Sequence, residues 1–177
     1  TGSIDRTVRL WMVEDPGAET VVLRGHEAPV NALAFSPDGS WLATGGDDHI
    51  TNLWEMDNLS PEPTVLRKHE RDVNVVAFSP DGRRIVTASE DGTAKVWELS
   101  TGEELLTLAD SKGEWVNSVA FSPDGASLAM VNSDGTLNVR DALSGDERLS
   151  LANFGGEGGD IAFSPDDKKL VTSGIDT

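Results

Sequence analysis

The sequence predicts an all-β fold, built from small four-stranded antiparallel sheets stacked one on another. Three observations predict it. The segment Ala-Phe-Ser-Pro-Asp-Gly occurs at Ala34–Gly39, Ala77–Gly82 and Ala120–Gly125, with Ala-Phe-Ser-Pro-Asp-Asp at Ala162–Asp167. The copies start 43, 43 and 42 residues apart. Between them lie short apolar runs separated by turn residues, and no run keeps a helical period. A fixed period of this length means one supersecondary unit, copied so that neighbours bury each other's faces.

The second complete period shows the elements in order. Val73–Ser79 is β-branched and apolar on both sides, as a strand covered on two faces must be. Ser79-Pro80-Asp81-Gly82 is a turn, with Pro fixing φ and Gly free to take φ > 0. Arg84–Ser89 is the next strand. Glu90-Asp91-Gly92-Thr93 is a tight hairpin, because Asp-Gly tolerates the left-handed pair. Thr93–Trp97 is the third strand, Ser100-Thr101-Gly102-Glu103 turns the chain, and Glu104–Ala109 is the fourth. A flat pile of such sheets would leave apolar faces bare at both ends. Radial stacking into a propeller is the expected solution.

Bulk properties narrow the partners. The 177 residues are 37% hydrophobic and 25% charged, which is enough apolar matter for a core. The net charge of −17 repels phosphate backbones and anionic membranes, so neither nucleic acid nor membrane is an expected partner. The charge is uneven: residues 57–98 carry six of the fourteen Lys and Arg. There is no cysteine, hence no disulfide, thiol nucleophile or thiolate metal site. A reducing compartment fits, and the cytoplasm is the expected location. No apolar run is long enough to span a membrane. The first residue is Thr1, so the chain reads as a piece of something longer.

Recurring marks carry a resemblance. They are Gly25-His26, the Ser-Pro-Asp-Gly turn, Asp48 and Leu53-Trp54-Glu55. The next period has His69, Asp91 and Val96-Trp97-Glu98, and the amino end has Asp5 and Thr7-Val8-Arg9-Leu10-Trp11. At these constant offsets the chain resembles the WD40 repeat family, and its regular Ser-Pro-Asp-Gly turns resemble bacterial members most. The resemblance implies a WD40-type propeller whose blades are pinned by a His, a Ser or Thr, an Asp and a Trp. Carried over, one set is His26, Thr44, Asp48 and Trp54, and another is His69, Thr87, Asp91 and Trp97. The third copy has Met130, Asp134 and Arg140 and no His in Ala109–Glu114. The fourth has Thr172 and Asp176 but glycines at Gly155, Gly156, Gly158 and Gly159. These two blades are expected to be held by apolar contacts alone, or held less well.

The expected organisation is the end of a blade at 1–12, complete repeats at 13–55, 56–98 and 99–141, and the start of a further blade at 142–177. Rings of this family usually have more blades than that, so the segment is expected to belong to a larger propeller. Two other outcomes are self-association into a closed ring through the unpaired half-blades, and an open arc.

Chemistry is not the expected role. His69, Thr87 and Asp91 have the composition of a nucleophilic triad, but the set recurs in another blade, as a structural device would. The Asp-rich turns lack the ligand spacing of a calcium loop, and the glycines lack the Lys-Ser/Thr of a phosphate loop. No metal, cofactor or enzymatic activity is expected.

The expected function is a protein-interaction scaffold. By resemblance, the ligand face takes in the residue before each turn Asp and the first residues of the inner strands. Those positions are Ile4, Asp47, Glu90, Ser133 and Ile175, with Asn31, Asn74 and Asn117. Asp47 and Glu90 favour a basic peptide or protein. The three Asn either line that face or serve the backbone at a bulge. The alternative function is the sensor or regulatory propeller of a larger effector fused to a kinase or nucleotide hydrolase.

Overall fold

The computed structural model describes residues 1–15, 21–57, 62–109, 112–152 and 158–174. Among the described residues every regular element is a β-strand. The strands β1 (Thr7–Leu10) and β2 (Val21–Arg24) pair as a two-stranded sheet. Three four-stranded antiparallel sheets follow. The first holds β3 (Val30–Phe35), β4 (Trp41–Gly46), β5 (Thr51–Glu55) and β6 (Thr64–Leu66). The second holds β7 (Val73–Phe78), β8 (Arg84–Ser89), β9 (Thr93–Glu98) and β10 (Glu104–Ala109). The third holds β11 (Val116–Phe121), β12 (Ser127–Asn132), β13 (Leu137–Asp141) and β14 (Glu147–Leu151). A second two-stranded sheet of β15 (Gly158–Phe163) and β16 (Leu170–Gly174) closes the described chain.

The sheets are those of propeller blades. Strand order within each follows the sequence, because each connection is a short turn. The inner strands stack: β3 packs on β7, β7 on β11, and β11 on β15. A sequence period and a sheet are one strand out of phase. β2 lies in the same period as β3, β4 and β5, yet it pairs with β1. Each period thus lends its first strand to the sheet before it, which ties neighbouring sheets covalently.

Four apolar layers fill the spaces between sheets. Ala43 and Leu53 of the first full sheet meet Val76, Ile85 and Trp97 of the second. Val86, Val96 and Leu108 meet Val119, Leu128 and Met130 in the next layer. The two-residue period of a strand explains the division: Ile85 faces back and Val86 faces forward. Each layer also has one tight point. A Cβ at Gly45 would lie 2.6 Å from Cγ1 of Val73, and one at Gly2 would lie 3.0 Å from Cγ1 of Val30. In the third layer the same two positions hold Ala88 and Val116, both buried. In the fourth the sizes are reversed, and a Cβ at Gly158 would lie 2.6 Å from Cγ1 of Val131.

The repeated Ser-Pro-Asp-Gly segment is a polar knot as well as a turn. The hydroxyl of Ser79 donates to Asp81 at 2.6 Å and accepts the N–H of Arg84 at 2.9 Å. Asp81 also accepts the N–H of Arg83. Ser36 with Asp38, Ser122 with Asp124 and Ser164 with Asp166 repeat the arrangement. Hydroxyl donors, first Ser36 and then Ser40, hold the Asp38 carboxyl down at about 2. Gly39, Gly82 and Gly125 take φ of 75°, 67° and 73°. The fourth copy places Asp167 there at φ 59°. A side chain in that left-handed region is strained. Asp167→Gly is therefore expected to stabilise the chain by about 0.5–1 kcal/mol, read as a higher urea midpoint.

Candidate functional site

Two buried hydrogen-bond chains pin the outer strands to the inner ones. Trp54 Nε1 donates to Thr44 Oγ1 at 3.1 Å, and Thr44 lies 2.7 Å from His26 Nε2. His26 Nδ1 reaches Asp48 Oδ2 at 2.9 Å. The second chain runs Trp97 to Thr87 at 3.0 Å, Thr87 to His69 at 2.7 Å, and His69 to Asp91 at 2.8 Å. Donor counting fixes the roles. The indole only donates, so the hydroxyl accepts from it and donates to Nε2, leaving Nδ1–H to donate to the carboxylate. The backbone N–H groups of Glu27 and Glu70 bind the same carboxylates. Thr44 and Thr87 are completely buried and saturated. A nucleophile must reach a substrate, so neither triad-like set can act as one.

The third sheet sets aside one of the two expectations for it. It is not held by apolar contacts alone. Lys112 Nζ bonds Asp134 Oδ2 at 2.5 Å, 22 positions away, the same separation as His26 to Asp48 and His69 to Asp91. Met130 is buried where the other sheets have Thr. Arg140, in place of Trp, donates to the carbonyl of Gly145. The Lys112 side chain is 59% exposed, so this pair is worth about 0–1 kcal/mol. In the fourth copy Thr172 is half-buried, while Gly155, Gly156 and Asp176 lie outside the described residues.

The positions expected at the ligand face share a rigid frame. The N–H groups of Asp47, Glu90 and Ser133 donate to the carbonyls of Pro29, Asp72 and Trp115, just ahead of each inner strand. Asn31, Asn74 and Asn117 each sit at a β-bulge, where the pairing register shifts. A bulge re-aims its side chain. Asn31 Nδ2 donates to Asp47 Oδ1 and also to Asn74 Oδ1, at 3.3 Å for the latter. Asn74 Nδ2 donates to Glu90 Oε1 at 3.3 Å. The chain Asp47–Asn31–Asn74–Glu90 therefore crosses from the first full sheet to the second.

Other expected positions do not join it. Asn117 Nδ2 donates to the carbonyl of Gly158 at 2.6 Å, and Ser133 donates to Glu114. Ile4 is exposed at the amino-terminal turn, and Ile175 lies outside the described residues.

Sequence reasoning missed Asp72 and His49. Burial raises the Asp72 carboxyl pKa, and the charges of Asp47 and Glu90 raise it further, against His49 and Arg71. His49 Nε2 lies 3.4 Å from Asp72 Oδ1. His49 holds φ at 66° where the other full sheets have Gly92 and Gly135 at 81° and 75°. The departure from Gly at that turn was the visible signal. Among the described residues no cluster of His and carboxylates could hold a metal ion.

Stacked four-stranded sheets, two of them pinned by buried His-Thr-Asp-Trp sets, define a repeat fold. The family model for the WD domain, G-beta repeat, matches residues 17–55, 61–98 and 102–141. The chain belongs to the WD40 repeat family, whose repeats are typically protein-interaction scaffolds. It is 40% identical over 47 residues to a guanine nucleotide-binding protein subunit beta of Oryza sativa subsp. indica, a stretch covering 27% of this chain and 12% of that protein. It is 46% identical over 46 residues to a human WD repeat and SOCS box-containing protein 1, covering 26% and 11%. It is 48% identical over 44 residues to mouse coronin-7, covering 25% and 5%. The matched stretches are each about one repeat long and span a small fraction of these relatives.

Proposed function

We propose that the chain is a non-catalytic docking platform that takes a basic peptide or protein surface at the Asp47–Asn31–Asn74–Glu90 strip. The observation that carries this is the amide chain itself. Two side-chain amides, aimed by bulges, hold two carboxylates of successive sheets in fixed positions. Asp72 adds a third carboxyl between them. Carboxylates held together at a rim repel one another, and a cationic partner relieves that repulsion. The strained His49 beside Asp72 fits a site where local stability is given up for geometry.

The test is the double change Asp47→Lys, Glu90→Lys. It is expected to abolish retention on arrayed Lys/Arg-rich peptides while leaving the thermal midpoint within a few degrees of the parent. Undiminished retention of the same peptides would remove this face from consideration.

A further inference from the structure

A pocket of about 300 Å³, sharing Glu90 with the strip, opens at the seam between the second and third full sheets. Glu70 and Arg71 ahead of β7, Glu90 and Asp91 in the β8–β9 turn, and Gly113 and Trp115 ahead of β11 line it. We propose that this pocket seats one basic side chain, arginine or lysine, from a partner polypeptide. The proposal rests on the acidic-face reading and gives that face its anchor point.

Charge selects the occupant. Three acidic residues, of which Asp91 is turned inward to His69, and one Arg line the pocket, so its net charge repels an anion and draws in a cation. Asp91 stays ionised, bound to His69 and the Glu70 N–H. Size selects further. The volume is at the lower limit for small-molecule pockets and suits one inserted side chain.

Trp115 supplies the second kind of contact. Trp115 lines the pocket and is 44% exposed as a residue, and its carbonyl is fixed by the N–H of Ser133. An indole face attracts ammonium and guanidinium groups. The corresponding positions in the two preceding periods are Pro29 and Asp72, so the ring is not a scaffold requirement. The floor is firm, since the β8–β9 turn lies against the Gly113–Glu114 backbone at Gly92.

The experiment uses the ¹⁵N-labelled chain and the capped peptide acetyl-Gly-Arg-Gly-amide. The indole N–H signal of Trp115, assigned by its loss in Trp115→Ala, should shift and saturate. The citrulline analogue, equal in shape but uncharged, should not move it. Glu70→Gln should weaken the arginine peptide about two- to fivefold, since an exposed carboxylate–cation contact is worth that much. An equal response to citrulline, or unchanged affinity in Glu70→Gln, would overturn the proposal. If the peptide ignores Trp115 while Asp47→Lys, Glu90→Lys still loses basic peptides, the seat is wrong and the face stands. If the peptide fills the seat but Asp47→Lys alone, which lies outside the pocket, keeps its basic partners, the seat stands and the strip does not.

Discussion

Trp97→Ala is expected to destabilise the chain by about 3–5 kcal/mol, read as a lower urea midpoint at unchanged slope. Trp97 is 1% exposed and has two roles. Its ring fills the layer between the first and second full sheets, against Ala43, Leu53 and Val76. Its N–H satisfies the buried Thr87 hydroxyl. Trp97→Phe separates these. It keeps most of the apolar area but removes the N–H and part of the fused ring, so the loss should be smaller, about 1–3 kcal/mol. In Thr87→Val the same change from Trp to Phe should cost less, because its partner is already gone. A loss for Trp97→Ala below about 1 kcal/mol would mean that the sheets do not depend on this layer.

Asp91→Ala carries the second largest effect, about 2 kcal/mol. It strands the His69 ring N–H, the Glu70 N–H, and the Thr93 N–H and hydroxyl at once. Asp134→Ala removes an exposed Lys112 pair and the bonds from the Thr136 hydroxyl and N–H, with no buried imidazole among its partners, so it should cost less, about 1 kcal/mol. Equal losses at the two positions would contradict the difference in burial of their partners.

The same carboxylate gives a pH dependence. Burial pushes the Asp91 pKa up, but donors from His69, Thr93 and Glu70 outweigh it and hold the carboxyl well below its ordinary 3.8. A depressed pKa stabilises the fold above the unfolded value. That contribution is lost as pH falls toward the folded value. Stability should therefore decline as pH drops below about 4, and Asp91→Asn should decline less steeply than the parent. Asp38, Asp81 and Asp124 in the turns add to the same slope.

Much of the fold was legible because each repeat states it again. The four strands expected in the second period fall within a residue of β7 to β10, since Pro, Gly and Asp-Gly mark turns by backbone chemistry alone. The bulges at Asn31, Asn74 and Asn117 were legible as one of two readings, and the register shifts bear that one out. The seat at Trp115 was not legible. Its walls come from loops of two successive sheets, and a single repeat contains neither seam. Lys112 was there to be found at the 22-residue spacing, but a search for histidine passes over a lysine that meets the same carboxylate from solvent.

The tight point in each layer has a consequence for assembly order. A chain of near-copies risks pairing the wrong neighbours as it folds. Here every junction works as a plug and a recess, with valine against glycine or alanine. The last junction inverts the polarity, because Val131 is the plug and Gly158 the recess. Docking β7 against β12 in place of β4 would drive Val73 into Val131, and docking β15 against β4 would leave Gly158 facing Gly45 across a void. The sheets are thus not interchangeable parts. The reversed valine and glycine at the last joint set its sheet apart from the others, whose joints share one polarity.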